Sequence, residues 1–174
     1  MKLKMISPSG IGAALEKAQL YRYLNEPEES ESICQDILAV DPDNQMALRV
    51  LGLAITDQFS GHTAERFTEA EDCFRRLTSD YEHHYYLGLL HERRAKARAR
   101  AGHPHHIVAG MFHKALDHFE QAEKLRPPGN DEAILRWNRC ARWMETLLLP
   151  KEQGREELFD SADSAPEGTL RRAG

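Results

Sequence analysis

The chain is poor in β-branched residues. Val, Ile and Thr together number 16, against 20 Leu, 20 Ala and 18 Glu in 174 residues. Ala and straight-chain residues lose little rotamer freedom in a helix, whereas β-branched ones lose more. An all-α fold is therefore expected, and neither a β-sandwich nor a large parallel sheet is. Long apolar runs are also missing. No stretch approaches the ~18 residues of a membrane helix, and Lys2 and Lys4 are not followed by the roughly 7–15 apolar residues of a signal peptide. Cysteine is scarce: Cys34, Cys73 and Cys140 are scattered and form no C-x-x-C pair, which argues against a disulfide framework or a cysteine zinc site and fits a reducing compartment. A soluble cytoplasmic protein is expected, without a membrane partner. Basic excess is lacking too. The net charge of −5 does not describe a globally basic nucleic-acid binder. Nor is there a nucleophile elbow, a P-loop or a glycine-rich dinucleotide fingerprint, so no catalysis and no cofactor is expected.

Breakers cut the remainder into helix-length pieces. Helices are expected from about Ile11 to Leu24 and from Pro27 to Val40, with Pro27 in a first turn where its missing N–H costs nothing. The turn Asp41-Pro42-Asp43-Asn44 follows. Further helices are expected over Gln45–Phe59, Thr63–Ser79, Tyr81–Ala101 (with Asp80 as cap), His106–Arg126 and, after Pro127-Pro128-Gly129, from Asn130 to Leu149. Residues 150–174 are polar with few large apolar side chains, the composition of a disordered tail.

These pieces pair into hairpins with short turns, and certain residues recur. Leu51-Gly52 is answered by Leu87-Gly88, Ala70-x-x-x-Phe74 by Ala115-x-x-x-Phe119, and Pro42 by Pro127. Ala18, Tyr21 and Ser30 take comparable places in the first unit, where Cys34 replaces the aromatic. The pattern resembles the tetratricopeptide repeat, a ~34-residue helix–turn–helix unit, although its first Trp is absent throughout. The resemblance implies a helical-hairpin solenoid: a lead at 1–10, repeats at 11–44, 45–80 and 81–129, and a capping helix at 130–149 that closes the last apolar face through Ala133, Trp137, Cys140, Ala141, Met144 and Leu148. Between Gly88 and Ala115 lie about 15 residues more than the ~12-residue spacing of the pattern. Both helices of the third hairpin should then lengthen and project by ~10 Å, with Ile107, Val108, Met111 and Phe112 packing against Ala95 and Ala99.

Charge is unevenly spread. Residues 26–82 hold 14 acids and 4 bases, whereas residues 91–142 hold 11 bases and 6 acids. Arg94, Lys96, Arg98 and Arg100 continue from Arg93 as a basic run, a surface suited to an acidic partner or, through the acidic half, to head-to-tail self-association. The run lacks the interleaved aromatics of an RNA-binding surface, and no nucleic-acid partner is expected. Eight of nine histidines lie in the third unit. His103, His105 and His106 at the hairpin tip raise an alternative metal-binding role, although no H-E-x-x-H occurs.

The resemblance implies that the first helices of the pairs line a groove for an extended partner segment. The positions that would face it are Leu15, Gln19, Arg22 and Tyr23, then Met46, Arg49, Leu53, Thr56 and Asp57, then Glu82, Tyr85, Leu89, Glu92 and Arg93. Arg22, Arg49 and Arg93 are expected to offer planar forks to partner carboxylates. The positions of the family's two-carboxylate clamp carry Leu15, Gln19, Val50, Glu82 and Tyr86, so a chaperone tail is not the expected ligand. The expectation is a non-catalytic adaptor, scaffold or assembly factor for an acidic, apolar protein segment, with homo-oligomerisation as a further outcome.

Overall fold

The computed structural model describes residues 2–60 and 64–148. Among them are seven α-helices, one 3-10 turn at Pro8–Gly10 and no strand. The helices are α1 (Ile11–Tyr23), α2 (Pro27–Val40), α3 (Gln45–Asp57), α4 (Ala64–Arg75), α5 (Asp80–Arg100), α6 (His105–Leu125) and α7 (Glu132–Leu148). The sequence expectation for 150–174 lies outside the described residues.

Local chemistry sets the breaks. Asn44 caps α3: its Oδ1 accepts from the Ala47 N–H at 3.0 Å, and its Nδ2 donates to Asp41. Ser79, not the expected Asp80, caps α5. Its backbone is extended and its hydroxyl accepts from the Glu82 N–H at 3.3 Å, which leaves Asp80 in the first turn where its charge suits the helix dipole. α4 ends at Arg75 rather than Ser79, because Gln45 Oε1 takes both the N–H and the hydroxyl of Thr78. Gly102 ends α5 at φ +78°, the left-handed conformation that glycine adopts without a Cβ clash.

Each helix packs on its chain neighbours, so α1/α2, α3/α4 and α5/α6 form hairpins and α7 lies on α6. The odd-numbered helices also touch in series, α1 on α3, α3 on α5 and α5 on α7. Among the described residues no even-numbered pair packs to the same extent. α5 and α6 have 21 residues each, against 12 to 14 in α1–α4, so the third hairpin is longer by about 10–14 Å at 1.5 Å per residue.

Two apolar clusters run through the stack. The first joins Ala18 and Cys34 to Leu48, Leu51, Phe74, Leu77 and Leu90. The second joins Leu89 and Ala95 to Val108, Phe112, Phe119, Ala133 and Cys140. Leu53 and Tyr86 pack against both. The glycines of the two Leu-Gly pairs explain the matching phenylalanines. A Cβ on Gly52 would lie 2.7 Å from Phe74 Cζ, and one on Gly88 would lie 2.7 Å from Phe119 Cε1. Both rings are fully buried, so each glycine admits the ring of the second helix against the first. In the long hairpin Val108, Phe112 and Ala95 are buried together as expected, but Ile107 is exposed. Trp143 of α7 covers Phe112, with ring centroids 5.3 Å apart.

Candidate functional site

The series of odd-numbered helices gathers Leu15, Gln19, Arg22, Tyr23, Met46, Arg49, Leu53 and Arg93 on adjoining elements. Tyr23 is exposed and Met46 partly so. The Met46 sulfur takes the Gln19 side-chain amide at 3.5 Å and also the Arg49 guanidinium. Tyr85 and Leu89 do not line a groove. They are 8% and 4% exposed and belong to the second apolar cluster, with Tyr85 against Phe119 of α6 at 6.0 Å between ring centroids.

The three arginines expected as free forks are already engaged. Arg22 Nε donates to Asp57 at 2.5 Å, Arg49 donates to Glu82 at 2.7 Å, and Arg93 donates to Asp57, to the Thr56 hydroxyl at 2.5 Å and to the Leu53 carbonyl at 3.2 Å. One carboxylate, Asp57, thus joins guanidinium groups from α1 and α5 across α3. Burial pulls the Arg93 pKa below its ordinary value against the opposing charge of Asp57. The partners of each pair lie 35, 33 and 36 residues apart, close to the ~34-residue spacing of the sequence pattern. Opposite charges one such spacing apart are the sequence signal that points to this pairing.

The basic run is likewise partly consumed. Arg94 lies over the Phe67 ring at 4.3 Å. Lys96 pairs with Glu92, a carboxylate with no solvent exposure, and Arg98 lies 2.9 Å from His103 Nε2. Arg100 alone of the four has no hydrogen bond or ion pair within the described residues and is exposed. Arg136 of α7, outside the sequence expectation, stands 3.7 Å from Glu92. Burial lowers the Arg136 pKa, and Tyr85 and Glu92 more than reverse that, so its charge is held firmly.

The histidine tip does not assemble as a ligand set. His103 is occupied by Arg98, and among the described residues no three His, Cys, Asp or Glu side chains converge as metal ligands. The histidines that do meet are elsewhere. His84 and His118 approach to 3.3 Å between Nδ1 atoms across the α5/α6 contact, and His91 stacks on His118 with centroids 5.5 Å apart. Burial, with the neighbouring His118 second, pushes His91 down to about 4, and burial also lowers His84 and His118. Such a cluster is neutral at physiological pH and packs as aromatic surface.

Two depressions among the described residues bear on the site. One, of about 620 Å³, lies between α6 and α7, where Trp137 Nε1 donates to Glu120 at 3.2 Å. The other, of about 260 Å³, lies where α3 ends beside α5 and α7. Among the described residues no helix is long and apolar enough to cross a membrane. No protein-family model and no curated protein matches the chain.

Proposed function

We propose that the chain is a tetratricopeptide-like solenoid of three hairpins and a capping helix that acts without catalysis as a protein-interaction module. The observation that carries this reading is the serial contact of α1, α3, α5 and α7, which turns one edge of every hairpin toward a common surface. The recurring Gly–Phe contacts of the second and third hairpins support the repeat register. The partner is a protein segment that lays apolar side chains over Tyr23, Met46 and the half-buried Leu15 and Leu53. Its acidic residues meet Arg100 and Arg136, because Arg22, Arg49 and Arg93 are tied to carboxylates of the chain. The module works in the cytoplasm, where three unpaired buried thiols persist.

The test compares three full-length baits in affinity capture: wild type, Tyr23→Asp with Met46→Asp on the odd-numbered face, and Ile107→Ala on α6. A partner held by wild type and by Ile107→Ala should be lost from the double variant, while its far-ultraviolet circular dichroism stays helical. Equal retention by all three baits would remove the odd-numbered face as the docking surface.

A further inference from the structure

α3 stops at Asp57, but α5 continues to Arg100 and carries about two turns past the end of its neighbour. α7 supplies the facing wall. Asp57, Glu92, Arg93, Lys96, Arg100 and Arg136 line the cavity formed at this step, whose volume is about 260 Å³. Four cations thus face two carboxylates, and the lining carries a double positive excess. Arg93 Nη1 is engaged by Asp57, Thr56 and Leu53. Lys96 and Arg136 share one oxygen of Glu92, Oε1, and Arg100 has no partner within the described residues. Donors on these last three remain for a ligand.

Glu92 adds a second and independent feature. Its side chain has no solvent exposure, and its Oε2 has no hydrogen-bond partner. A buried carboxylate oxygen left without a donor is costly. A simple anion would answer the cations but set its own oxygen against Glu92 Oε2. An oxyanion that is doubly charged and still carries a hydrogen satisfies the charge, the donors and the acceptor together.

We infer that the step between α3, α5 and α7 binds inorganic hydrogenphosphate, whose oxygens draw Lys96, Arg100 and Arg136 onto the anion and so uncover Glu92, letting the P–O–H donate to Glu92 Oε2. Sulfate has the same shape and charge but no hydrogen at neutral pH. A phosphomonoester dianion lacks the hydrogen as well. The site therefore selects on the ligand's proton rather than on its size. It needs no partner segment in the groove, but it draws on Arg100 and Arg136, the donors offered above to the partner's acidic residues, so phosphate and that segment would compete for them.

The experiment is isothermal titration of the full chain, in buffer free of phosphate and sulfate at pH 8, with sodium phosphate, sodium sulfate and phosphoserine. Phosphate should saturate one site, with sulfate and phosphoserine weaker by at least about tenfold. Arg100→Ala should weaken phosphate several-fold at an unchanged melting temperature, because Arg100 is exposed and unpaired. Glu92→Gln places an N–H donor beside the ligand and should abolish the preference, so that sulfate binds as phosphate does. Equal binding of phosphate and sulfate to wild type would overturn the inference. So would indifference of phosphate binding to Arg100→Ala. Absence of saturable phosphate binding by roughly 10 mM would also overturn it, and would leave Glu92 Oε2 to a bound water. If Glu92→Gln fails to fold, the wild-type anion preference and the Arg100 variant decide.

Discussion

Gly52→Ala should destabilise the protein, against the ordinary effect of that change in a helix. Replacing an interior helical glycine by alanine gains roughly 1 kcal/mol of helix propensity. At Gly52, however, the new methyl would sit 2.7 Å from Phe74 Cζ, with Cδ1 at 2.9 Å. Phe74 has no exposed surface, so its ring can move only by displacing the neighbours in the first cluster. Overpacking of this kind costs about 1–3 kcal/mol, and a fully enclosed ring belongs at the upper end. The net loss is then about 2 kcal/mol, a fall of about 4–8 °C in melting temperature for a domain of this size. Gly110→Ala in α6 is the control, because nothing lies within 4 Å of a Cβ there. It should raise the melting temperature by a few degrees. Adding Phe74→Leu to Gly52→Ala relieves the contact, so the double variant should be more stable than additivity allows, by about 2 kcal/mol of coupling. Urea titration followed by circular dichroism measures wild type, the single variants Gly52→Ala, Gly110→Ala and Phe74→Leu, and the double variant. If Gly52→Ala stabilises as Gly110→Ala does, or if the double variant is simply additive, the close packing of α3 on α4 through that glycine is wrong.

Two further predictions concern charge. His91 sits near pKa 4 in the fold, against 6.5 in the unfolded chain, chiefly through burial and then through His118 and Lys114, with Glu71 opposing. The unfolded state binds the extra proton between these values. Stability should therefore be complete above pH 6.5 and fall as the pH drops toward 4, by about 2 kcal/mol at pH 5 from this residue. His91→Leu should flatten that slope in urea titrations at pH 7 and pH 5, and equal midpoints for wild type at the two values would refute the assignment. Asp57→Asn leaves the guanidinium groups of Arg22 and Arg93 without their shared counter-charge. Since Arg93 keeps 23% of its side chain exposed and also serves Thr56 and Leu53, the loss should be about 2 kcal/mol, against about 1 kcal/mol or less for Arg22→Gln. Matching melting temperatures for these two variants would show that Asp57 does not join α1 to α5.

The helices are largely legible in the sequence. Proline, glycine and capping residues act within a turn of where they stand, so the breaks at Asn25–Glu26, Pro42, Gly102 and Pro127 fall where local chemistry puts them. Where expectation and fold differ, a distant side chain intervenes. Gln45, at the start of α3, ends α4 from the other arm of the same hairpin through Thr78, 33 residues away. Tyr85 and Leu89 look like groove residues by position alone, and packing with Phe119 of α6 and with α7 buries them.

Helical content, hairpin order and the long third hairpin are written in composition, breakers and spacing, because each depends on preferences between residues close in the chain. Which charges remain free for a partner is not. Arg22, Arg49 and Arg93 find Asp57 and Glu82 across 33 to 36 residues, and a pairing at that distance depends on how one hairpin is staggered on the next. In the sequence Glu92 is one acid beside a basic run; in the fold α6 and α7 close around α5 and leave it a bare oxygen at the end of α3. Burial is a property of the whole stack, and burial decides whether a charge is surface or site.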